Sequence, residues 1–187
     1  MKIKNKRKNL YVPGFKICRS DELCFLEKKY NSTYGELTKC GAFQLFSKFP
    51  MQNKIFCDLG SGIGNVLYYV MSIFPTLNKC IGVELSQERH YIAIEKYRKF
   101  VNNNKMEFYN TDLLEIPVGH CDYIYISNLC FPEHLNRNIG RKIDNEVKEG
   151  SVVFSSKEIY CNEHWKKEEK KVSQTWDNQS TIYIYYF

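Results

Sequence analysis

The stretch "DLGSGIGN", residues 58–65, places one acid and three glycines directly after the apolar run "KIFC". Gly60, Gly62 and Gly64 lie where a strand-like run gives way to a helical pattern, the position at which a doubly wound α/β sheet binds its ligands. Glycine suits this turn because the chain bends sharply and a side chain would keep the backbone away from a ligand. A plain strand-to-helix turn also uses glycine, so the loop alone does not identify a ligand.

Three acids narrow the choice of ligand. The glycine spacing is G-x-G-x-G rather than the dinucleotide pattern G-x-G-x-x-G, and Asp58 precedes the first glycine by two positions. A carboxylate there would repel a pyrophosphate and suit a cation. Glu84 ends the next strand-like run, about 20 residues after the loop, where such folds place the acid that accepts the ribose hydroxyls. Asp112 follows the third run and is placed to accept from an adenine amino group. A ribose beside a cationic group describes S-adenosylmethionine.

The rest of the chain alternates between strand-like runs and helical patterns. The strand-like runs are 54–59, 80–85, 106–109, 122–127 and 151–155, and the helical patterns lie near 65–74, 88–101 and 133–147. Such alternation predicts parallel βαβ units with both sheet faces covered. The final segments "VSQT" and "TIYIYYF" have no helix between them, which predicts an antiparallel hairpin. The expected fold is the class I methyltransferase fold, a Rossmann-like, mostly parallel seven-stranded sheet with an antiparallel C-terminal hairpin.

Two helices are expected before the first strand. Ser20 is a candidate N-cap for a helix ending near Tyr30, with Leu23 and Leu26 on one side, and apolar residues recur at helical spacing over 37–48. We therefore divide the chain into three parts. They are a basic flexible arm over 1–10, a small helical cap over 11–52, and a methyltransferase core over 53–187.

Composition limits the class of protein. The 187 residues suffice for one well-buried domain, and the net charge of +6 favours an acidic partner such as nucleic acid. The eight cysteines contain no C-x-x-C pair, so we expect a reducing compartment and neither disulfides nor a metal site. Apolar runs stay well below the roughly 18 residues of a membrane span, and we expect an intracellular, monomeric protein. The arm carries Lys2, Lys4, Lys6, Arg7 and Lys8, which suit either DNA or nucleosome contact or a solubilising tail.

Six motifs together carry a family resemblance. They are "TYGEL" (33–37), "DLGSGIGNV" (58–66), "GVEL" (82–85), "TDLL" (111–114), "SNLCFPE" (127–133) and "VKEGSVVFSSK" (147–157). In this order they resemble the disruptor-of-telomeric-silencing family, the non-SET methyltransferases of histone H3 lysine 79, a histone position. The glycine loop is common to all methyltransferases of this fold. The Y-G-E, N-x-x-F-P-E and E-G-S-V-V-F-S-S-K runs are more specific to the family.

The resemblance implies S-adenosylmethionine as cofactor, histone H3 in nucleosomes as partner, and a nuclear or chromatin location, or a cytoplasmic factory for a viral protein. Tyr34 to Glu36 would cover the methionine end of the cofactor. The implied cofactor-binding residues are Tyr34, Gly35, Glu36, Asp58, Gly60, Gly62, Gly64, Asn65, Glu84, Leu85, Asp112, Leu113 and Asn128. The implied catalytic residues are Asn128 beside the methyl group and Phe131 and Trp176 along a lysine channel. An apolar channel would favour a neutral lysine, so no dedicated general base is expected.

The chain departs from the family pattern in places. Ser127 and Asn128 stand where the family has paired asparagines, and Leu113 stands where it has an aromatic residue beside adenine. Only the arm and the run "HWKKEEKK" offer basic residues for nucleosome contact. Two alternatives stay open, a class I methyltransferase acting on RNA or a non-histone protein, and a non-catalytic chromatin-binding protein.

Overall fold

A computed structural model of the chain describes residues 14–162 and 164–187, so the predicted arm over 1–10 lies outside the described residues. The strands are β1 (Ile55–Leu59), β2 (Lys79–Glu84), β3 (Met106–Asn110), β4 (Tyr123–Ile126), β5 (Val152–Ser155), β6 (Lys166–Val172) and β7 (Ser180–Tyr186). The helices are α1 (Arg19–Glu27), α2 (Lys39–Phe46), α3 (Asn65–Ile73), α4 (Gln87–Lys96), α5 (Arg98–Asn102) and α6 (Glu133–Glu146). Within the described part of the chain, no helix is both long and apolar enough to cross a membrane.

The seven strands of the described residues form one sheet in the order β3-β2-β1-β4-β5-β7-β6. The first five in this order are parallel, and β7 runs antiparallel to both β5 and β6. This confirms the predicted fold class. The central strand β1 sets Asp58 beside Gly82 of β2 and Tyr125 of β4, so these three residues form one row across the sheet.

Helices cover both faces of the sheet, as the alternation predicts. On one face Phe46 of α2 makes edge-to-face contacts with Phe56, Tyr125 and Phe154, whose ring centroids lie 5.1 to 6.1 Å away. On the other face, the buried α6 residues Leu135, Ile139 and Ile143 pack with Ile124 of β4 and Val153 of β5. Burial on both faces explains why the parallel strands read as continuous apolar runs.

Helix α1 differs from the prediction. It begins at Arg19, Ser20 lies inside it, and the N-cap residue Cys18 makes no side-chain cap. Leu23 and Leu26 are exposed, at 50% and 70%, whereas Asp21 is buried. The reason is that Asp21 accepts hydrogen bonds from the Ser86 hydroxyl and the Glu88 amide at the start of α4. Helix α1 therefore buries the side chain of Asp21 and leaves Leu23 and Leu26 exposed.

The C-terminal hairpin is confirmed, but one of its strands begins earlier than predicted. Strand β6 is the charged run "KKEEKKV", while the predicted segment "VSQT" mostly follows it. An edge strand pairs on one side and is open to water, so its residues need no apolar alternation, and charges there discourage further pairing. The helical pattern at 88–101 is divided at Tyr97 into α4 and α5.

Candidate functional site

A cavity of about 770 Å³, including its open mouth, lies at the carboxyl ends of the parallel strands. It is lined by eleven predicted site residues: Tyr34, Gly35, Glu36, Asp58, Gly60, Gly62, Glu84, Leu85, Asp112, Leu113 and Phe131. Its wall does not include Gly64, Asn65, Asn128 or Trp176. The fold therefore gathers residues from five separate motifs around one space.

The glycine loop bends in a way that requires its glycines. Gly60, Gly62 and Gly64 have φ values of 94°, 54° and 78°, a region that favours glycine. A Cβ on Gly62 would also lie 2.5 Å from the Tyr34 ring. Gly64 does not line the cavity; it is the N-cap residue of α3 and allows the chain to pass from the loop into that helix.

Asp58 is a buried carboxyl group that lines the cavity. Its residue is 2% exposed, and among the described residues Oδ1 has no hydrogen-bond partner. Burial, reinforced by the nearby Glu36 and Glu84 carboxylates, holds the pKa of Asp58 well above its usual range. A buried carboxylate in this state favours any ligand that brings a positive charge to it.

Glu84 is equally buried, but its charge is balanced. Its carboxylate accepts from the amides of Gly62 at 2.8 Å and Ser86 at 2.9 Å, and the Arg89 guanidinium lies 4.0 Å away. Burial raises the pKa of Glu84, while Arg89 and the two amides oppose that rise. Glu84 therefore links the glycine loop to the start of α4 and keeps lone pairs for neutral donors such as hydroxyls.

Asp112 is also balanced, by residues that the sequence patterns did not suggest. Its Oδ1 accepts from the Leu114 amide at 3.0 Å, and its Oδ2 lies 2.8 Å from the Lys28 ammonium and 3.2 Å from the Tyr30 hydroxyl. Burial and the Asp112 carboxylate raise the pKa of Tyr30 to about 12. Lys28 and Tyr30 follow α1, far from Asp112 in sequence, so only the fold brings them together.

The Tyr34–Glu36 loop is fixed from both sides. The Tyr34 hydroxyl donates to one Glu36 carboxylate oxygen, and Asn65 Nδ2 donates to the other at 2.8 Å. Asn65 in turn accepts from the Tyr97 hydroxyl at 2.6 Å, so it positions Glu36 without reaching the cavity. The backbone of Glu36 also pairs with Thr175, in the β6–β7 connection.

Arg89 is a site residue that the sequence analysis missed. It lines the cavity, is 4% exposed, and donates to the carbonyls of Gly14 at 2.8 Å and Ser32 at 2.7 Å. Its guanidinium carbon lies 4.9 Å from the centre of the Tyr34 ring. The available signal was its position four residues before Ala93, which places both on the buried face of α4.

Asn128 is held by hydrogen bonds to the protein itself. Its side chain is fully buried, donates to Asn136 at 2.8 Å and to the Lys157 carbonyl at 3.2 Å, and accepts from the Lys157 amide at 2.9 Å. The cavity wall instead contains Tyr125 and Ser127. Tyr125 belongs to β4, whereas Ser127 and Asn128 follow its end. Asn128 thus does not line the cavity, and its role beside the methyl group of the cofactor stays a prediction.

Trp176 is 41% exposed and also lies outside the cavity wall. It covers Gly35, where a Cβ would lie 2.5 Å from the indole ring. Together with Leu129 and Tyr183 it lines a separate surface groove. Trp176 therefore lines the groove and packs against Gly35, which lines the cavity together with Phe131.

The sheet order and the cavity place the chain in a known class of fold. An RNA methyltransferase from Salinibacter ruber, solved with S-adenosyl-L-homocysteine, superposes with a TM-score of 0.57 over 76% of this chain and 85% of its own, at 15% identity. The fold is that of class I S-adenosylmethionine-dependent methyltransferases. Within this class, the chain belongs to the family described as Histone methylation protein DOT1, which matches residues 16–183.

Two curated relatives carry the name "Histone-lysine N-methyltransferase, H3 lysine-79 specific". The one from Candida glabrata is 26% identical over 144 residues, which are 69% of this chain and 22% of the relative. The one from Caenorhabditis elegans is 26% identical over 146 residues, which are 71% of this chain and 15% of the relative. The chain therefore spans less than a quarter of the length of these two relatives.

Proposed function

We propose that this protein is a protein-lysine N-methyltransferase that uses S-adenosylmethionine to methylate histone H3 at the lysine-79 type of site in the nucleosome core. The observation that supports this proposal is the environment of the Asp58 carboxylate. Asp58 is a buried carboxylate that lines the cavity and has an oxygen without a hydrogen-bond partner among the described residues, whereas Glu84 and Asp112 are balanced by Arg89 and Lys28.

This charge pattern fits one orientation of the cofactor. The neutral adenine belongs at Asp112 and Leu113, the ribose hydroxyls at Glu84, and the cationic amino-acid end at Asp58. A pyrophosphate in the cavity would meet Asp58. The pattern therefore favours a nucleoside with one cationic end.

When bound, the cofactor supplies an electrophilic methyl group on a good leaving group. The chain then has to align the acceptor amine with that methyl and keep the amine neutral. A free lysine has a pKa of about 10.4, and entry into an apolar channel disfavours its charged form. We assign the channel walls to Phe131, which lines the cavity, and to Trp176, which lines the surface groove and packs against Gly35. Water exclusion by these rings would make a general base unnecessary.

The choice of histone H3 rests on the family and on the names of its members. Contact with the nucleosome is assigned to Lys2, Lys4, Lys6, Arg7 and Lys8 of the arm, which lie outside the described residues. The run "HWKKEEKK" is a weaker candidate because Lys166 and Lys167 pair with Glu168 and Glu158. We further propose that the protein acts on chromatin as a monomer.

A labelling experiment tests the proposal. The protein is incubated with labelled S-adenosylmethionine and, in parallel, with nucleosomes, free histones, DNA and RNA, and the labelled position is mapped by mass spectrometry. We expect label on histone H3 within nucleosomes and none with the Glu84→Ala variant, because that variant loses the ribose acceptor. Label on RNA, or on histone tails alone, would refute the histone-core assignment and support a different acceptor for the same fold.

A further inference from the structure

A chain of hydrogen bonds outside the cavity ends on Glu36, one of the acids that line it. Asn65, the first residue of α3, donates from Nδ2 to the Glu36 carboxylate at 2.8 Å. Its Oδ1 accepts from the ammonium of Lys96, the last residue of α4, and from the hydroxyl of Tyr97, which follows it, each at 2.6 Å. Lys96 and Tyr97 do not line the cavity, so Glu36 is the residue through which this network reaches a ligand.

The neighbours of the Asn65 amide fix its orientation. An ammonium group only donates hydrogen bonds, and an ionised carboxylate only accepts them. Lys96 therefore requires the amide oxygen and Glu36 requires the amide nitrogen, so both select the same orientation. If the amide were rotated by half a turn, Nδ2 would face the ammonium and Oδ1 would face the carboxylate.

Tyr97 is a second donor to the same oxygen, and it is buried. Its residue is 6% exposed, and its ring stacks on that of Tyr68 with centroids 5.1 Å apart. Burial raises the pKa of Tyr97, so its hydroxyl keeps its proton and remains a donor at neutral pH. Lys96 is exposed, and its ammonium lies 5.3 Å from the centre of the Tyr97 ring. A buried neutral donor and an exposed cationic donor thus act together on Asn65.

The Glu36 carboxylate is held at both oxygens by this arrangement. Asn65 donates to one oxygen and the Tyr34 hydroxyl donates to the other. Each carboxylate oxygen can accept more than one hydrogen bond, so lone pairs remain for a ligand. A side chain that is already fixed loses little freedom when a ligand binds, which favours binding.

We propose that Lys96 and Tyr97 are positioning residues for the amino-acid end of the cofactor, because through Asn65 they hold Glu36 where its carboxylate meets the ammonium group. This inference rests on the proposed function, which places the cationic end of the cofactor at Asp58. Burial and the Glu36 carboxylate raise the pKa of Asp58, which indicates that the two acids are close neighbours in the cavity wall. An ammonium group at Asp58 would therefore also lie near Glu36.

The test measures dissociation constants by calorimetry for S-adenosylhomocysteine and for methylthioadenosine, which lacks the amino-acid end. Lys96→Met should weaken S-adenosylhomocysteine about two- to fivefold, the scale of an exposed charged contact. Tyr97→Phe should weaken it about three- to tenfold, the scale of a buried hydrogen bond. Neither variant should change the binding of methylthioadenosine, because that ligand does not reach Glu36.

Three further variants separate positioning from general effects. Lys96→Arg keeps a cationic donor and should bind S-adenosylhomocysteine as the wild-type protein does. Lys99→Met and Tyr91→Phe are the matched controls, because Lys99 is an exposed lysine of α5 and Tyr91 is 57% exposed on α4. Both controls should leave the two dissociation constants unchanged.

The outcomes distinguish this inference from the proposed function. Equal weakening of both ligands in Tyr97→Phe would indicate a general loosening of the glycine loop and would overturn the positioning role. An unchanged affinity of Lys96→Met for S-adenosylhomocysteine would overturn the role of Lys96, and this surface substitution does not depend on repacking of the core. A wild-type protein that binds neither ligand would instead refute the cofactor assignment of the proposed function.

Discussion

Replacing Asp58 by asparagine should change stability and binding in opposite directions. The carboxylate is 2% exposed, and its Oδ1 has no hydrogen-bond partner among the described residues. A buried polar group without a partner costs about 1–3 kcal/mol, and a charged one costs more. Asparagine keeps the shape and removes the charge. The free energy of unfolding of the ligand-free protein should therefore rise by at least about 1 kcal/mol at neutral pH.

Binding should weaken in the same variant. A charge-assisted hydrogen bond between an ammonium group and a carboxylate contributes about 1.5–3 kcal/mol, which corresponds to a loss of roughly ten- to hundredfold in affinity. This loss should apply to S-adenosylmethionine and S-adenosylhomocysteine, which both carry the ammonium. It should not apply to methylthioadenosine, which carries the nucleoside without the amino-acid end.

Calorimetry with the three ligands and thermal melting of the ligand-free protein measure both effects. Glu149→Gln is a suitable control, because this exposed carboxylate lies just before β5, at the opposite end of the strand from the cavity. Equal weakening of methylthioadenosine would show that the variant distorts the nucleoside end. An unchanged affinity for S-adenosylhomocysteine would refute the assignment of Asp58 to the cationic end.

Two further predictions concern pH and Asn128. Because burial and the neighbouring Glu36 and Glu84 carboxylates raise the pKa of Asp58 well above 3.8, the folded protein holds this proton more tightly than the unfolded chain. As the pH rises from about 3.8 through the raised pKa of Asp58, the free energy of unfolding should therefore fall. Below the raised pKa, Asp58 is protonated in the folded protein, so ligands with an ammonium group should bind more weakly as the pH falls. Binding titrations across this range check the sign, and no such pH dependence is expected in Asp58→Asn. Asn128→Ala should lower the free energy of unfolding by about 2–3 kcal/mol, because it leaves Asn136 and the Lys157 backbone unpaired, while changing the affinity for S-adenosylhomocysteine less than about threefold. Chemical denaturation measures the free energy of unfolding, and calorimetry measures the affinity for S-adenosylhomocysteine. A larger loss of affinity would indicate that Asn128 contacts the cofactor.

The parallel part of the fold was predictable because its signals are local. Each buried strand is a short apolar run, and the glycine loop after β1 needs φ values that few other residues adopt. The predictions failed where a segment is governed by distant partners. Strand β6 is defined by pairing with β7 and not by apolar alternation, and α1 is oriented by the capping of α4 through Asp21.

The sequence by itself determined which residues follow each strand, and therefore that Asp58, Glu84 and Asp112 meet at one edge of the sheet. It did not determine their charge balance. That balance depends on Arg89, Lys28 and the carboxylates around Asp58, which lie far apart along the chain, and electrostatic interactions act over distances in space that no local pattern records. The tertiary structure alone decided that Asp112 and Glu84 are balanced while Asp58 keeps an oxygen without a partner among the described residues, and it turned Ser127 rather than Asn128 toward the cavity.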